Sequence, residues 1–125
     1  MIFTSYFSLT KKLEQNGYTT ISISRFPPKF YDGKKAFGLA PSESILNRYK
    51  TNQINEDEYT KEYIEYLESR KEELVPYLTK LYNSNKKYVF LCYEKAGDFC
   101  HRRILADWFK EKTGFECAEI DKEKI

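Results

Sequence analysis

Hydrophobic and polar positions follow three rhythms along the chain, and each predicts a kind of element. Residues 1–5 predict a short strand, and Leu9 and Leu13 followed by Gly17 predict a helix over 8–16 with a glycine stop. Residues 18–24 alternate with period two and are rich in β-branched side chains, which predicts a strand. Over 25–40 both rhythms fail. Pro27, Pro28, Gly33 and Gly38 punctuate a run of cations and aromatics, and so long a loop in a compact domain commonly serves a function. Pro41 suits the first turn of a helix reaching about Lys50. Asn55 is a good N-cap, and Glu56, Asp57 and Glu58 complement the positive helix end that follows. From there Tyr59, Tyr63, Tyr66 and Leu67, then Leu74, Leu78 and Leu81, keep near-helical spacing to about Tyr82. Pro76 interrupts this pattern and predicts two helices or one kinked helix. Residues 88–93 are continuously apolar, as in a central strand covered on both faces. Asp98 is placed to cap a helix over 99–112 that Gly114 ends, and 115–120 predict a last strand. The order of elements predicts an α/β fold: a single compact domain over 1–125, with a mostly parallel sheet of about four strands and helices on its faces.

Composition adds class and environment. With 41% apolar and 17% aromatic residues the chain can bury a core, which excludes disorder. The 21 cations and 19 acids leave a net charge of +2, too small to make nucleic acid or an acidic membrane the default partner. No apolar run approaches the roughly 20 residues of a membrane span. Three cysteines, an odd number, and the absence of a signal-like segment after Met1 predict unpaired thiols and a cytoplasmic, reducing environment.

The scarce residue types are concentrated in one place. His101 is the only histidine, and it lies with Cys92, Cys100, Arg102 and Arg103 in a stretch of twelve residues running from the third strand into the next helix. Arginine is itself scarce, five against sixteen lysines, and its planar bidentate donors suit anionic ligands. Open α/β sheets bind ligands beyond the carboxyl ends of their strands, where Cys92 and Glu94 fall. Cys100 and His101 then occupy a first helical turn, where the dipole favours an anion or a thiolate. A pairing of Arg103 with Asp107 one turn later leaves Arg102 as the ligand contact. Cys92 would also be at home in a plain core, as would Cys117, while the tyrosines Tyr59, Tyr63 and Tyr66 suit a packed helix face. Adjacent Cys100 and His101 lack the usual spacing of structural zinc ligands, and nearby arginines repel a cation, so no metal is assigned.

The stretch Val89 to Glu94, followed by Phe99-Cys100-His101-Arg102 and an apolar helix with Trp108, resembles the domain-of-unknown-function family 488 of bacterial, archaeal and phage proteins. Ile21 to Pro27, with Arg25 at the strand end followed by a proline, resembles the second signature of that family, and Leu39 to Ser42, Tyr49-Lys50 and Glu58 through Tyr63 resemble one branch of it. Many relatives carry an aspartate two residues before the strand-end arginine; here Ile23 stands there. The resemblance covers nearly the whole chain and adds Arg25 to the candidate site, but implies no reaction.

These readings predict a pocket for a small anionic, nucleotide-like ligand, with nucleic acid as a further possible partner and no membrane. Arg25 and Arg102 would hold the charge, Cys92 or Cys100 would be nucleophile or ligand contact, and Glu94 or His101 would carry the proton. A hydrolase or transferase is the corresponding enzyme class, and the cofactor is unknown. The sixth position after Cys92 is Asp98 rather than arginine, which disfavours the loop chemistry of tyrosine phosphatases. The alternative is a non-catalytic binding or regulatory protein whose Cys/His cluster is structural or holds zinc. A third reading gives nucleic-acid binding to the loop, through Lys29, Lys34 and Lys35 with Phe26, Phe30 and Tyr31.

Overall fold

In the computed structural model, which describes residues 1–93 and 99–125, five strands pair into one parallel sheet. Its strands are β1 (Ile2–Tyr6), β2 (Tyr18–Ser22), β3 (Lys34–Lys35), β4 (Lys87–Cys92) and β5 (Ala118–Glu119), in the order β3-β2-β4-β1-β5. All four pairings are parallel, as expected, and the fifth strand is the two-residue β3 inside the long loop. A strand so short escapes a periodicity argument, since two residues define no period.

The helices are α1 (Thr10–Gln15), α2 (Glu43–Lys50), α3 (Glu56–Ser69), α4 (Lys71–Tyr82) and α5 (His101–Thr113). The β1 to β2 connection passes over β4, whereas the β4 to β5 connection passes over β1. Right-handed crossovers running in opposite directions place their helices on opposite faces. Accordingly Val89 and Leu91 pack with Leu13 of α1 and with Phe7, Tyr31 and Ile120. Tyr88 and Phe90, of opposite parity on the same strand, pack with Leu67, Leu78, Leu105 and Phe109 of the other helices. Among the described residues no helix is long and apolar enough to cross a membrane.

Three boundaries differ from expectation. Ser42 is the N-cap of α2, accepting from the Ile45 amide at 3.1 Å, so Pro41 precedes the helix rather than opening it. The long tyrosine and leucine pattern does divide, but at Arg70, and Pro76 lies inside α4. Helix α5 begins at His101 with Cys100 in extended conformation as its N-cap, two residues later than predicted. The capping role given to Asp98 lies outside the described residues. Elsewhere the local signals hold: Asn55 and Glu58 form a reciprocal capping box, and Gly114 ends α5 with φ +79°.

Tyrosines fasten the long loop. Tyr63 and Tyr66 of α3 donate to the Leu39 and Gly38 carbonyls, both at 2.6 Å, and Ala36 N–H donates to Ser22 O at 2.8 Å. The α3 tyrosines are therefore a packing and anchoring face. Tyr31, expected in an exposed aromatic surface, is instead buried, its hydroxyl donating to Lys34 O at 2.8 Å and its ring lying on Phe7. An aromatic ring next to a strand edge gains more from the Phe7 side of the core than from water.

Candidate functional site

A cavity of about 300 Å³ lies beyond the carboxyl ends of β2 and β4. It collects residues from five stretches of the chain. Ser24, Arg25 and Phe26 come from the exit of β2, and Leu46, Tyr49 and Lys50 from α2. Tyr59 of α3, Cys92 and Tyr93 at the end of β4, and Phe99, Cys100 and His101 at the start of α5 complete it. Pairing of β2 with β4 continues one residue past the strand, through Ile23 N–H to Leu91 O at 3.1 Å, which fixes the Arg25 backbone beside Cys92.

His101 is buried and its orientation is set by one bond. Its Nε2 lies 2.6 Å from the Ile23 carbonyl oxygen, which can only accept, so Nε2 carries the hydrogen. The Nδ1 lone pair then faces Cys100, whose Sγ is 3.9 Å away, and the ring stands edge-on to Tyr63. Burial pushes the imidazole down to about 4, against the pull of the Ile23 bond and helped by the Arg102 charge, so the ring is neutral near pH 7.

The sulfurs of Cys92 and Cys100 are bonded to each other as a disulfide, while Cys117 is a free, buried cysteine. This corrects the expectation of unpaired thiols: the odd count is one pair plus one. Burial pushes the Cys117 thiol up to about 11, in keeping with the core role foreseen for it.

Arg102 sits differently from its predicted place at the ligand. It is fully buried and does not line the cavity. Its Nε and Nη2 donate to the Glu119 carboxylate at 3.0 and 2.7 Å, and its Nη1 donates to Cys92 Sγ at 2.9 Å. The guanidinium also lies over the Tyr6 ring, 5.8 Å from the centroid. Arg103 does not pair with Asp107 but donates to Thr4 Oγ1 at 2.8 Å and Cys117 O at 2.7 Å. Both arginines turn toward β1 and β5 because the acceptors there are buried or partly buried, whereas Asp107 is exposed to water. Glu119 is half-shielded. Burial opposes its charge, yet the bonds from Arg102 and from Thr4 Oγ1, the latter at 2.5 Å, hold its carboxyl below the usual range.

Arg25 is half-buried at the cavity wall, its Nε donating to Pro41 O at 3.0 Å. Its terminal nitrogens make no hydrogen bond to the described residues. Glu94 lies outside the described residues. The structure thus brings Arg25, Cys92, Cys100 and His101 together at one cavity and sets Arg102 behind Cys92. Sequence reasoning missed Glu119, one of two carboxylates, with Glu116, in the predicted last strand. Lys50 and Tyr49 had surfaced only within the family resemblance. On the loop, Phe26, Phe30 and Phe37 are exposed, as are Lys29, Lys34 and Lys35.

Cys92 Sγ, Cys100 Sγ and His101 Nδ1 form the one metal-capable group found among the described residues, within 4.8 Å of one another. A histidine whose other nitrogen donates to a backbone carbonyl has the orientation typical of a metal ligand, or of a base with a fixed tautomer.

No curated protein and no solved structure matches the chain. The family profile described as the active DUF488-N3 subclade matches residues 5–113, which includes every residue lining the cavity and stops short of Glu119. With most of its length matched, the chain belongs to the DUF488 family of domains of unknown function, in its DUF488-N3 branch.

Proposed function

We propose that the cavity binds a small, nucleotide-like anion and that the Cys/His cluster at its floor performs hydrolase- or transferase-type chemistry on it. The observation that carries this reading is that Arg25 and Lys50 line the same 300 Å³ space as Cys92, Cys100 and His101. That volume is at the small end of ligand pockets, and its walls combine aromatic and aliphatic side chains with a smaller set of polar and charged groups, as ligand sites do. Phe26, Tyr49, Tyr59 and Phe99 offer faces for a planar base, and Arg25 and Lys50 offer charge for a phosphate. Once the disulfide is reduced, Cys100 is the nucleophile or ligand contact nearest His101, whose Nδ1 lone pair can accept its proton. Glu94 is retained as a second candidate proton carrier. Arg102 contributes through Cys92 rather than by touching the ligand.

Thermal-shift measurements over nucleosides, nucleotides and inorganic phosphate test this directly. A nucleotide should raise Tm in a concentration-dependent way. Arg25→Ala and Lys50→Ala should each weaken its apparent affinity by about tenfold, the loss of one charge-assisted contact. A flat response from wild-type protein to all of these ligands would sink the reading. A polynucleotide carrying the same group would cross the exposed Phe26 to Phe37 loop, and its binding would fall steeply with salt.

The second reading, a zinc-holding cluster in a non-catalytic protein, is favoured by the convergence of the two sulfurs and His101 Nδ1 and by the His101 bond to Ile23. Elemental analysis of reduced, untagged protein decides it. One zinc per chain, lost in Cys100→Ser, supports it, and a metal-free reduced protein removes it.

A further inference from the structure

We infer that Cys92 and Cys100 form a redox-active dithiol/disulfide couple, reached through the cavity by low-molecular-weight thiols, in which the Arg102–Glu119 pair stabilises Cys92 as a thiolate. This goes beyond the anion-binding reading and does not depend on it. Three observations carry it. The two sulfurs are bonded, so the pair can hold and release two electrons. Both line a cavity of about 300 Å³, and Cys100 is the more exposed of the two, at 6% against 1%. Behind the pair, Arg102 Nη1 points at Cys92 Sγ from 2.9 Å, and among the described residues no comparable cation is hydrogen-bonded to Cys100.

The asymmetry assigns the order of events. A small thiolate entering the cavity attacks Cys100 Sγ, the S–S bond breaks, and its electron pair leaves on Cys92, whose new negative charge meets the guanidinium. A stabilised leaving thiolate departs faster and favours the reduced form. A second thiol then attacks the mixed disulfide on Cys100. The small-molecule disulfide departs, Cys100 is left as a thiol, and two thiols have been oxidised for one disulfide reduced. The Nδ1 lone pair of neutral His101, 3.9 Å from Cys100 Sγ, is placed to take the proton of the first thiol as it becomes the attacking thiolate and to hand it to Cys100 when that sulfur leaves, the proton of the second thiol going to water.

Glu119 is a positioning residue in this scheme. Its carboxylate binds Arg102 through both Nε and Nη2, which leaves Nη1 aimed at Cys92, and Thr4 Oγ1 fixes the carboxylate in turn. A buried guanidinium without that anion would be a lone charge in a region of low polarity, so the pair stands or falls together. The site differs from an ordinary structural disulfide in having a cation dedicated to one sulfur.

The test uses the whole protein equilibrated in glutathione buffers of varied ratio, quenched with iodoacetamide in denaturant and weighed. The expected result is interconversion between one and three alkylated cysteines, the constant one being Cys117. In reduced, native wild-type protein one thiol should alkylate with a half-point at least one pH unit below the roughly 8.5 of a free thiol, and Cys100→Ser should retain it. Glu119→Gln should raise that half-point and move the exchange equilibrium about tenfold toward the disulfide. A pair that stays reduced, or stays oxidised, at every ratio overturns the couple. A wild-type half-point near 8.5, or a folded Glu119→Gln protein that matches wild type in both readouts, overturns the role of Arg102 and Glu119. Because no nucleotide enters these assays, their failure leaves anion binding standing, although a pair that never opens also removes Cys100 as a nucleophile; a flat nucleotide screen leaves the couple untouched.

Discussion

Tyr31 shows how one residue can dictate its neighbour. Its ring lies over Gly33, and a Cβ added there would meet the tyrosine oxygen at 2.5 Å and Cζ at 2.7 Å. The tyrosine cannot give way easily, since its hydroxyl is tied to Lys34 O and Thr20 Oγ1 and its ring is packed on Phe7. Gly33→Ala should therefore destabilise the protein by about 1–3 kcal/mol, the usual cost of overpacking, as read from denaturant midpoints. Gly38 has no neighbour within 4 Å of an added Cβ, and Gly38→Ala serves as the mild control. In the sequence both glycines looked like equivalent loop punctuation. Only the position of the Tyr31 ring separates them.

Among the elements, α4 carries the least expected residue. Pro76 is exposed in the sixth position of a twelve-residue helix, where it lacks the N–H that would bond to the Glu72 carbonyl. The helix nevertheless continues, because Leu74 and Leu78 on either side of it are locked into the core. Burial of two leucines outweighs one missing hydrogen bond, and the break falls at Arg70 instead, where no buried residue holds the chain in helix. Pro76→Ala should restore the bond and raise stability by about 1 kcal/mol or more, part of the helix gain being offset by a freer unfolded chain; urea unfolding checks this. A fall in stability would mean that the proline ring packs usefully. The start of α5 is a related case. Leu105, Trp108 and Phe109 of α5 are buried at helical spacing and Ile104 is half-buried, but the first turn is set by where β4 ends and Cys92 meets Cys100, which no local signal records.

At the scale of the molecule, His101 couples the start of α5 to β2 across 78 residues, so its titration is felt in global unfolding. Its folded value of about 4 lies below the ordinary 6.5, which means that the unfolded chain binds the extra proton in the interval between them. Stability is thus fully present above pH 6.5 and declines as pH falls toward 4, by about 3 kcal/mol if the ring stays buried throughout. Denaturant midpoints at pH 5 and 7 should show this slope in wild type and a shallower one in His101→Asn; equal slopes would contradict the burial argument. The same long-range geometry explains what could and could not be read in advance. The sequence by itself determined the parallel α/β class, the central β4, the capped α3, the glycine stop of α5 and the concentration of rare residues after β4. Those follow from periodicity and from preferences that act over a few residues. Only the tertiary structure decided that Cys92 joins Cys100, that Arg102 turns from the cavity to Glu119, and that Arg25 and Lys50 meet the Cys/His cluster across one space. Each of these depends on partners far apart in the chain, and a buried charge or sulfur goes to whichever acceptor the folded sheet brings within reach.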